Sequence, residues 1–250
     1  MAEPPRSALL AFNTVERLFR GDFFHCVTAR EVRRFLSEYP ASWPVVGLGT
    51  TNHEERHGEV FLDGTAGSPR FTWADPADGD GGGALLELDE ADALPFVAAA
   101  VCDPESASHE WHLPAGHDVA DGIARRAEEA NLGLAALVVR GRMREVAYQV
   151  MCHIPIGGTT AEDAPVARQR HEEDATWEAV GIYAANATVQ SVVSHGVAAV
   201  HLHARLSRES RGGHVNAAVA GPGTAVRVFP LRDLVVRIRD LDEAMRAARP

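Results

Sequence analysis

Strand-length apolar segments follow one another through the second half of this chain, and they restrict its fold more than any other feature. Gly, Pro and polar residues separate them, a spacing typical of β-strands. We expect a turn at Arg140–Arg142 and a polar loop with some helix over Gly157–Asp174. The predicted strands are Leu134–Val139, Met143–Met151, Trp177–Ala184, Val189–Val193, Ala198–Leu206, Val215–Val219, Thr224–Pro230 and Leu234–Ile238. This half therefore predicts a structure made mainly of β-sheet.

The first half combines helical and strand patterns. Its apolar spacing predicts a helix over Ala8–Phe19, and a second helix follows Thr28, which forms a capping box with Glu31. A third helix is predicted over Val119–Ala130, with Asp118 as its N-cap. The other predicted elements are strands at Val45–Leu48, Gly58–Leu62 and Arg70–Trp73, a turn at Asp63–Gly64 and a short C-terminal helix at Asp242–Ala248.

The order of these elements predicts an α/β chain of the α+β kind, in which mixed β-sheets have flanking helices. We expect an N-terminal sheet-and-helix half over residues 1–130 and a C-terminal sheet half over residues 131–250. A chain of 250 residues suits one compact unit that contains both halves.

Charge and composition exclude several classes of protein. The formal net charge is -11, and an acidic surface repels phosphate backbones, so we expect no nucleic-acid partner. All 24 basic residues are arginines, which excludes a lysine Schiff base and a P-loop lysine. The three cysteines are too scattered for a disulfide framework, and no apolar run approaches the length of a membrane span. We therefore expect a cytoplasmic protein without a membrane partner.

Three histidines lie close together in the sequence: His201-Leu-His203, and then His214 after ten further residues. Residues i and i+2 of a strand point to the same face, so His201 and His203 project together. We expect Ser207–Gly213 to be a turn that returns His214 beside them on an adjacent antiparallel strand. Three imidazoles that meet in this way are typical of catalytic zinc, which keeps its fourth position open.

We therefore predict a divalent metal held by these histidines, with zinc as the first choice. Iron, copper, nickel and manganese also suit three imidazoles. The alternative interpretation is that the histidines are three unrelated polar positions on a sheet face.

The same segment resembles the acetolactate decarboxylase family, whose ligands follow an HxH-x10-H pattern with Gly-Gly before the last histidine. The similarity extends upstream, where Gly47–Thr50, Gly58-Glu59 and Asp63-Gly64 resemble the family's GLGT, GE and DG segments in the same order. Shorter matches are Leu18–Asp22, Val138–Gly141 and Arg237–Arg239. The resemblance therefore covers roughly residues 15–240.

The resemblance implies a two-tiered fold of mixed sheets, a zinc centre, a homodimer and decarboxylation of a 2-hydroxy-3-oxo acid, which is a small-molecule substrate. It also implies that Glu59 lies beside the metal and takes part in proton transfer. The chemistry is coherent, because loss of CO₂ from such an acid leaves an enediolate that a Lewis acid stabilises. A carboxyl group beside it can then deliver a proton to carbon.

The sequence differs from the family at two positions that bear on the reaction. Gln149 stands where the family has an arginine, and a glutamine cannot pair bidentately with a carboxylate. Asp240 stands where the family has a glutamate. Arg140, Arg142 and Arg144 predict a solvated basic face, with replacement of the missing arginine as the alternative. Two interpretations stay open: the family's own substrate, or an altered one in specialised metabolism with an isomerase or cyclase outcome.

A different interpretation is a non-catalytic metal-binding module. A small prokaryotic domain that also occurs in plant AT-hook proteins has an HxH…GGH pattern and a structural metal. That module is far shorter than this chain and leaves the Gly47–Thr50 and Gly58-Glu59 segments unexplained. An acid that faces an open metal position favours catalysis, whereas a closed set of four protein ligands favours a structural site.

Overall fold

A computed structural model of the protein describes residues 6–13, 26–53, 56–76, 83–106, 108–153, 166–194, 198–207 and 211–237. Within these ranges the chain forms two β-sheets and three helices, so the predicted α+β class is confirmed. The helices are α1 (Ala29–Leu36), α2 (Val119–Glu129) and α3 (Ala187–Val193). The strands are β1 (Ala8–Phe12), β2 (Val27–Thr28), β3 (Val45–His53), β4 (Arg56–Thr65), β5 (Ser68–Asp75), β6 (Ala84–Glu87), β7 (Ala93–Val101), β8 (His109–His112), β9 (Leu134–His153), β10 (Val166–Ala184), β11 (Val200–Leu206), β12 (Gly212–Ala220), β13 (Ala225–Pro230) and β14 (Asp233–Arg237).

The first sheet is mixed and has the strand order β14-β1-β7-β3-β4-β5-β6, with β2 beside β7. β1 and β14 run parallel, whereas the other neighbours are antiparallel. Helix α1 packs on one face of this sheet, where Val32 and Leu36 join a buried cluster with Val60 and Leu62. The predicted capping box between Thr28 and Glu31 begins this helix.

The second sheet has the strand order β10-β11-β12-β9-β13-β8. β9 and β10 also pair with each other along their length, so β9, β10, β11 and β12 form a closed ring. The main core contains Leu48, Phe61 and Phe96 of the first sheet together with Val180 and Leu202 of the second. The two sheets therefore form two tiers around a common core. The boundary at residue 130 stays a prediction.

Pairing between distant strands explains why several local predictions are wrong. Ala8–Phe12 is a β-strand rather than the start of a helix, because β7 and β14 pair with its two edges and all of its side chains are buried. Residues 14–19 of that predicted helix lie outside the described residues. No turn interrupts β9, in which Gly141 is a strand residue that allows Thr224 to approach closely.

Three other elements also differ from expectation. Residues 166–174, predicted as loop, belong to β10. Val189–Val193 is part of helix α3 rather than a strand, and Asn186 caps it by accepting a hydrogen bond from the backbone of Thr188. The predicted turn at Asp63–Gly64 lies within β4, and the chain turns at residues 66–67 instead. The predicted helix at Asp242–Ala248 lies outside the described residues. Across the ranges given above, no helix has the length and apolar character needed to span a membrane.

Candidate metal centre

The three histidines predicted as ligands meet on one face of the second sheet. His203 on β11 lies directly opposite His214 on β12, and His201 precedes His203 by two residues. One ligand atom from each residue lies within 4.8 Å of the others. These side chains can therefore hold a metal ion.

Backbone carbonyls fix the orientation of two of the rings. Nδ1 of His201 lies 2.5 Å from the carbonyl oxygen of Val193, and Nδ1 of His203 lies 2.9 Å from that of Val60. Because a carbonyl oxygen only accepts hydrogen bonds, each Nδ1 holds a proton and each Nε2 keeps a lone pair for a metal.

The spacing of the ring nitrogens fits a shared ion. Nε2 of His201 lies 3.1 Å from Nδ1 of His214. Two nitrogens that each lie about 2.0–2.1 Å from a tetrahedral zinc are roughly 3.3 Å apart. The donor set and its spacing therefore fit a divalent transition metal such as zinc.

The surroundings of the centre favour neutral imidazoles. His203 is 1% exposed and His201 is 6% exposed. Burial, together with the neighbouring His201 and His214, lowers the pKa of His203 well below its usual value, although the hydrogen bond to Val60 acts in the opposite direction. Neutral imidazole is the form that binds a metal.

The Gly-Gly pair before His214 lies within β12 and not in the predicted turn. A Cβ on Gly213 would collide with the backbone oxygen of Gln149, and a Cβ on Gly212 would collide with Ala204 and with the ring of Phe61. Glycine therefore allows β12 to lie close to β9, β11 and β4, which brings His214 to the other ligands.

Glu59 faces the histidines from the first sheet. It lies on β4 opposite Thr50 of β3 and is 2% exposed. Its Oε2 is 3.4 Å from Nε2 of His203. A buried carboxylate needs nearby positive charge, which a divalent metal at the three histidines would supply. The structure thus brings Glu59 together with the predicted ligands, and its part in proton transfer stays a prediction.

A cavity of about 560 Å³ opens beside this centre, a volume typical of small-molecule sites. Thr50 lines it, and its buried hydroxyl oxygen has no hydrogen bond to the described residues. Asp118 and Asp121 at the start of α2 line it too. The sequence indicates Asp118 only as a helix cap and gives Asp121 no role, because the place of both acids beside the cavity depends on how α2 packs against the second sheet.

Gln149 lies on β9, directly opposite His214 on β12, and it also lines the cavity. The described residues that line this cavity include no arginine. Arg140 instead pairs with Glu178 at 2.7 Å, and Arg142 lies 3.4 Å from Asp174. Both arginines are largely exposed, as expected for a solvated basic face. Arg144 is exposed as well, and Asp240 lies outside the described residues.

The chain matches no protein-family model and no curated protein. Its structure is similar to that of a Staphylococcus aureus protein of unknown function described as similar to alpha-acetolactate decarboxylase. That pair has a TM-score of 0.67 and 16% identity over 97% of this chain and 94% of the other.

Two enzymes from Bacillus subtilis show the same similarity. For alpha-acetolactate decarboxylase from strain 168, the TM-score is 0.66 with 16% identity over 92% of this chain and 88% of that chain. For acetolactate decarboxylase from subspecies spizizenii, the TM-score is 0.66 with 16% identity over 94% of this chain and 93% of that chain. At this level of identity the similarity shows the fold, and the protein has the fold of acetolactate decarboxylase-like structures.

Proposed function

We propose that the protein is a zinc-dependent lyase of the acetolactate decarboxylase type, acting on a 2-hydroxy-3-oxo acid or a related enolisable compound. One observation supports this above all: the buried carboxylate of Glu59 lies 3.4 Å from His203 in a three-histidine cluster beside a cavity. The shared fold agrees with the same reaction class. Zinc is the preferred metal because it binds three imidazoles and keeps a fourth position open.

The residues of the cavity have distinct roles in this proposal. His201, His203 and His214 would hold the metal, which would supply Lewis acidity toward negative charge that develops on substrate oxygens. Glu59 holds the proton that is delivered to carbon after CO₂ is lost. The Thr50 hydroxyl, buried at the cavity wall, donates a hydrogen bond to a substrate oxygen.

The non-catalytic metal-binding module is not favoured. The similar structures extend over nearly the whole chain, including the first sheet that provides Glu59. Within the described residues the cluster contains three histidines and no fourth ligand, and an acid faces it. This arrangement is typical of a catalytic site.

We further propose that the substrate differs from that of the similar enzymes, because a neutral glutamine lies beside His214. An isomerase or cyclase outcome would use the same enediolate chemistry and the same proton carrier. A homodimer and a cytoplasmic location remain part of the proposal.

The test is the substitution Glu59→Gln in zinc-loaded protein. The amide can neither give nor take the proton, so turnover should fall by about 10²–10⁴-fold while metal content is unchanged. Turnover is measured as CO₂ loss and as metal-dependent exchange of carbon-bound hydrogen in 2-hydroxy-3-oxo acids and their reaction products. Glu38→Gln, at an exposed position beyond α1, makes the same chemical change as a matched control. Wild-type turnover in Glu59→Gln would contradict the proposal.

A further inference from the structure

Three side-chain amides form a cluster at the rim of the cavity. Gln149 of β9 lies directly opposite Gln169 of β10 on one side and His214 of β12 on the other. The pairing of β12 with β9 has an extra residue between Val215 and Ala217, and this residue is Asn216. Bulges of this kind re-aim side chains near functional sites, and this one provides the third amide of the cluster.

Hydrogen bonds within this amide cluster fix the orientation of Gln149. Gln169 Nε2 donates to Gln149 Oε1 at 2.8 Å, and Asn216 Nδ2 donates to the same oxygen at 3.3 Å. Asn216 Nδ2 also donates to Gln169 Oε1 at 2.8 Å. If the Gln149 amide alone were flipped, its NH₂ would face the NH₂ groups of Gln169 and Asn216, which is unfavourable.

The fixed orientation leaves the Gln149 NH₂ as a donor for a ligand. Its oxygen is used by Gln169 and Asn216, and its Nε2 makes no hydrogen bond to another residue in the part of the chain that the structure describes. Gln149 is half-buried and lines the cavity. A polar group held in this way acts as an oriented donor rather than a flexible surface amide.

The charges around the cavity indicate which acceptor this donor suits. Three acidic residues line it, namely Glu59, Asp118 and Asp121, and its described lining contains no arginine. A carboxylate beside Gln149 would gain a hydrogen bond from a neutral donor but no ion pair with a residue of the described lining, and it would face these acids. The positive charge of a metal at the histidines would draw such a carboxylate toward the metal rather than toward Gln149. An uncharged carbonyl oxygen gains the same hydrogen bond without that repulsion.

We propose that Gln149, oriented by Gln169 and Asn216, is the specificity residue for an uncharged carbonyl oxygen next to the substrate's hydroxyl-bearing carbon. The substrate class is then an α-hydroxy carbonyl compound that presents a ketone, ester or amide, not a free carboxylate, to this amide cluster. This inference rests on the proposed function of the same cavity. It assigns roles to Gln169 and Asn216 as positioning residues.

The test compares two ligands that differ only in this group: 2-hydroxy-2-methylpropanoate and 2-hydroxy-2-methylpropanamide. Neither has a hydrogen on the carbon that bears its hydroxyl, so neither can enolise. Affinities for the zinc-loaded protein are measured by NMR titration. In Gln149→Leu we expect the amide to bind about fivefold to tenfold more weakly, the size of one neutral hydrogen bond. The affinity of the acid should be nearly unchanged, because repulsion by Glu59, Asp118 and Asp121 keeps its carboxylate away from position 149.

Further variants separate recognition from loss of shape. Gln149→Glu keeps the shape of the side chain but should weaken the binding of both ligands, and that of the acid more strongly. Gln169→Leu removes the orienting donor and should weaken the amide selectively while Gln149 is intact. Metal content is checked in every variant, because Gln149 adjoins His214.

Two results overturn the inference: equal weakening of both ligands in Gln149→Leu, or no weakening of either. If zinc binds and Glu59→Gln abolishes turnover while this selectivity is absent, only the inference about Gln149 fails. If zinc does not bind, the proposed function is contradicted, and so is the inference that rests on it.

Discussion

Replacement of His203 by alanine tests the metal centre most directly, because His203 is its most buried ligand. Structural zinc sites with four ligands bind with about 10–16 kcal/mol, or about 2.5–4 kcal/mol per ligand. Loss of one ligand should therefore weaken metal binding by about two decades or more. We expect most of the metal to be absent from purified His203→Ala.

The loss of metal affinity in His203→Ala can also be measured by thermal unfolding. Zinc at about 100 times its dissociation constant adds about 2.7 kcal/mol to the free energy of unfolding. In a chain of this length, that amount raises Tm by about 5–10 °C. At the same zinc concentration, a variant with hundredfold weaker binding gains only about 0.4 kcal/mol, which is about 1 °C.

The assay compares Tm with and without zinc within each variant, together with metal content by mass spectrometry. The comparison is made within each variant because His203→Ala also removes the ring contact with Phe61 and the hydrogen bond to Val60. These losses lower the stability of the metal-free protein as well. His112→Ala, at an exposed position on β8, is the matched control. A zinc-dependent rise in Tm that is equal in His203→Ala and in wild type would refute the assignment of the ligands.

Two more predictions concern the scaffold around the centre. Gly213→Ala should lower the free energy of unfolding by about 1–3 kcal/mol and weaken metal binding, since its Cβ would meet the backbone of Gln149. Gly133→Ala is the control, because a Cβ at position 133 has open space around it. Equal denaturation midpoints for the two variants would contradict the predicted cost at Gly213. Burial raises the pKa of Glu178, but hydrogen bonds and charge from Arg205 and Arg140 outweigh it and lower the pKa below its ordinary 4.5. This carboxylate therefore stabilises the fold above about pH 4.5 and loses that effect as acid protonates it, so urea titrations at falling pH should show a shallower loss in Arg205→Met than in wild type.

Much of the local structure was predictable from sequence because neighbouring residues determine it. The capping box of Thr28 and Glu31 and the N-cap of α2 at Asp118 depend on contacts within three residues. Strand Ala8–Phe12 depends instead on partners at Val97–Val101 and Asp233–Arg237. A run of buried apolar residues has no periodicity that separates helix from strand, so only those distant partners decide its structure.

The candidate site also combines features that the sequence predicts with features that depend on distant parts of the chain. The meeting of His201, His203 and His214 follows from strand periodicity and one antiparallel pairing, both of which the sequence indicates. The approach of Glu59 to His203 joins two sheets across residues far apart in the chain, and only the family resemblance pointed to it. The β12 bulge that provides Asn216 has no sequence signal at all, so the amide cluster could not be predicted.

An ion bridge joins the two sheets between which the site is divided. Arg205 on β11 bonds to Asp63 on β4 at 2.6 Å and to Glu178 on β10 at 2.5 Å. Asp63 follows Glu59 by four residues on β4, and Arg205 follows His203 by two residues on β11, so each pair shares one face of its strand. The bridge therefore holds together the same two strands whose separation sets the distance from the carboxylate of Glu59 to the metal ligands.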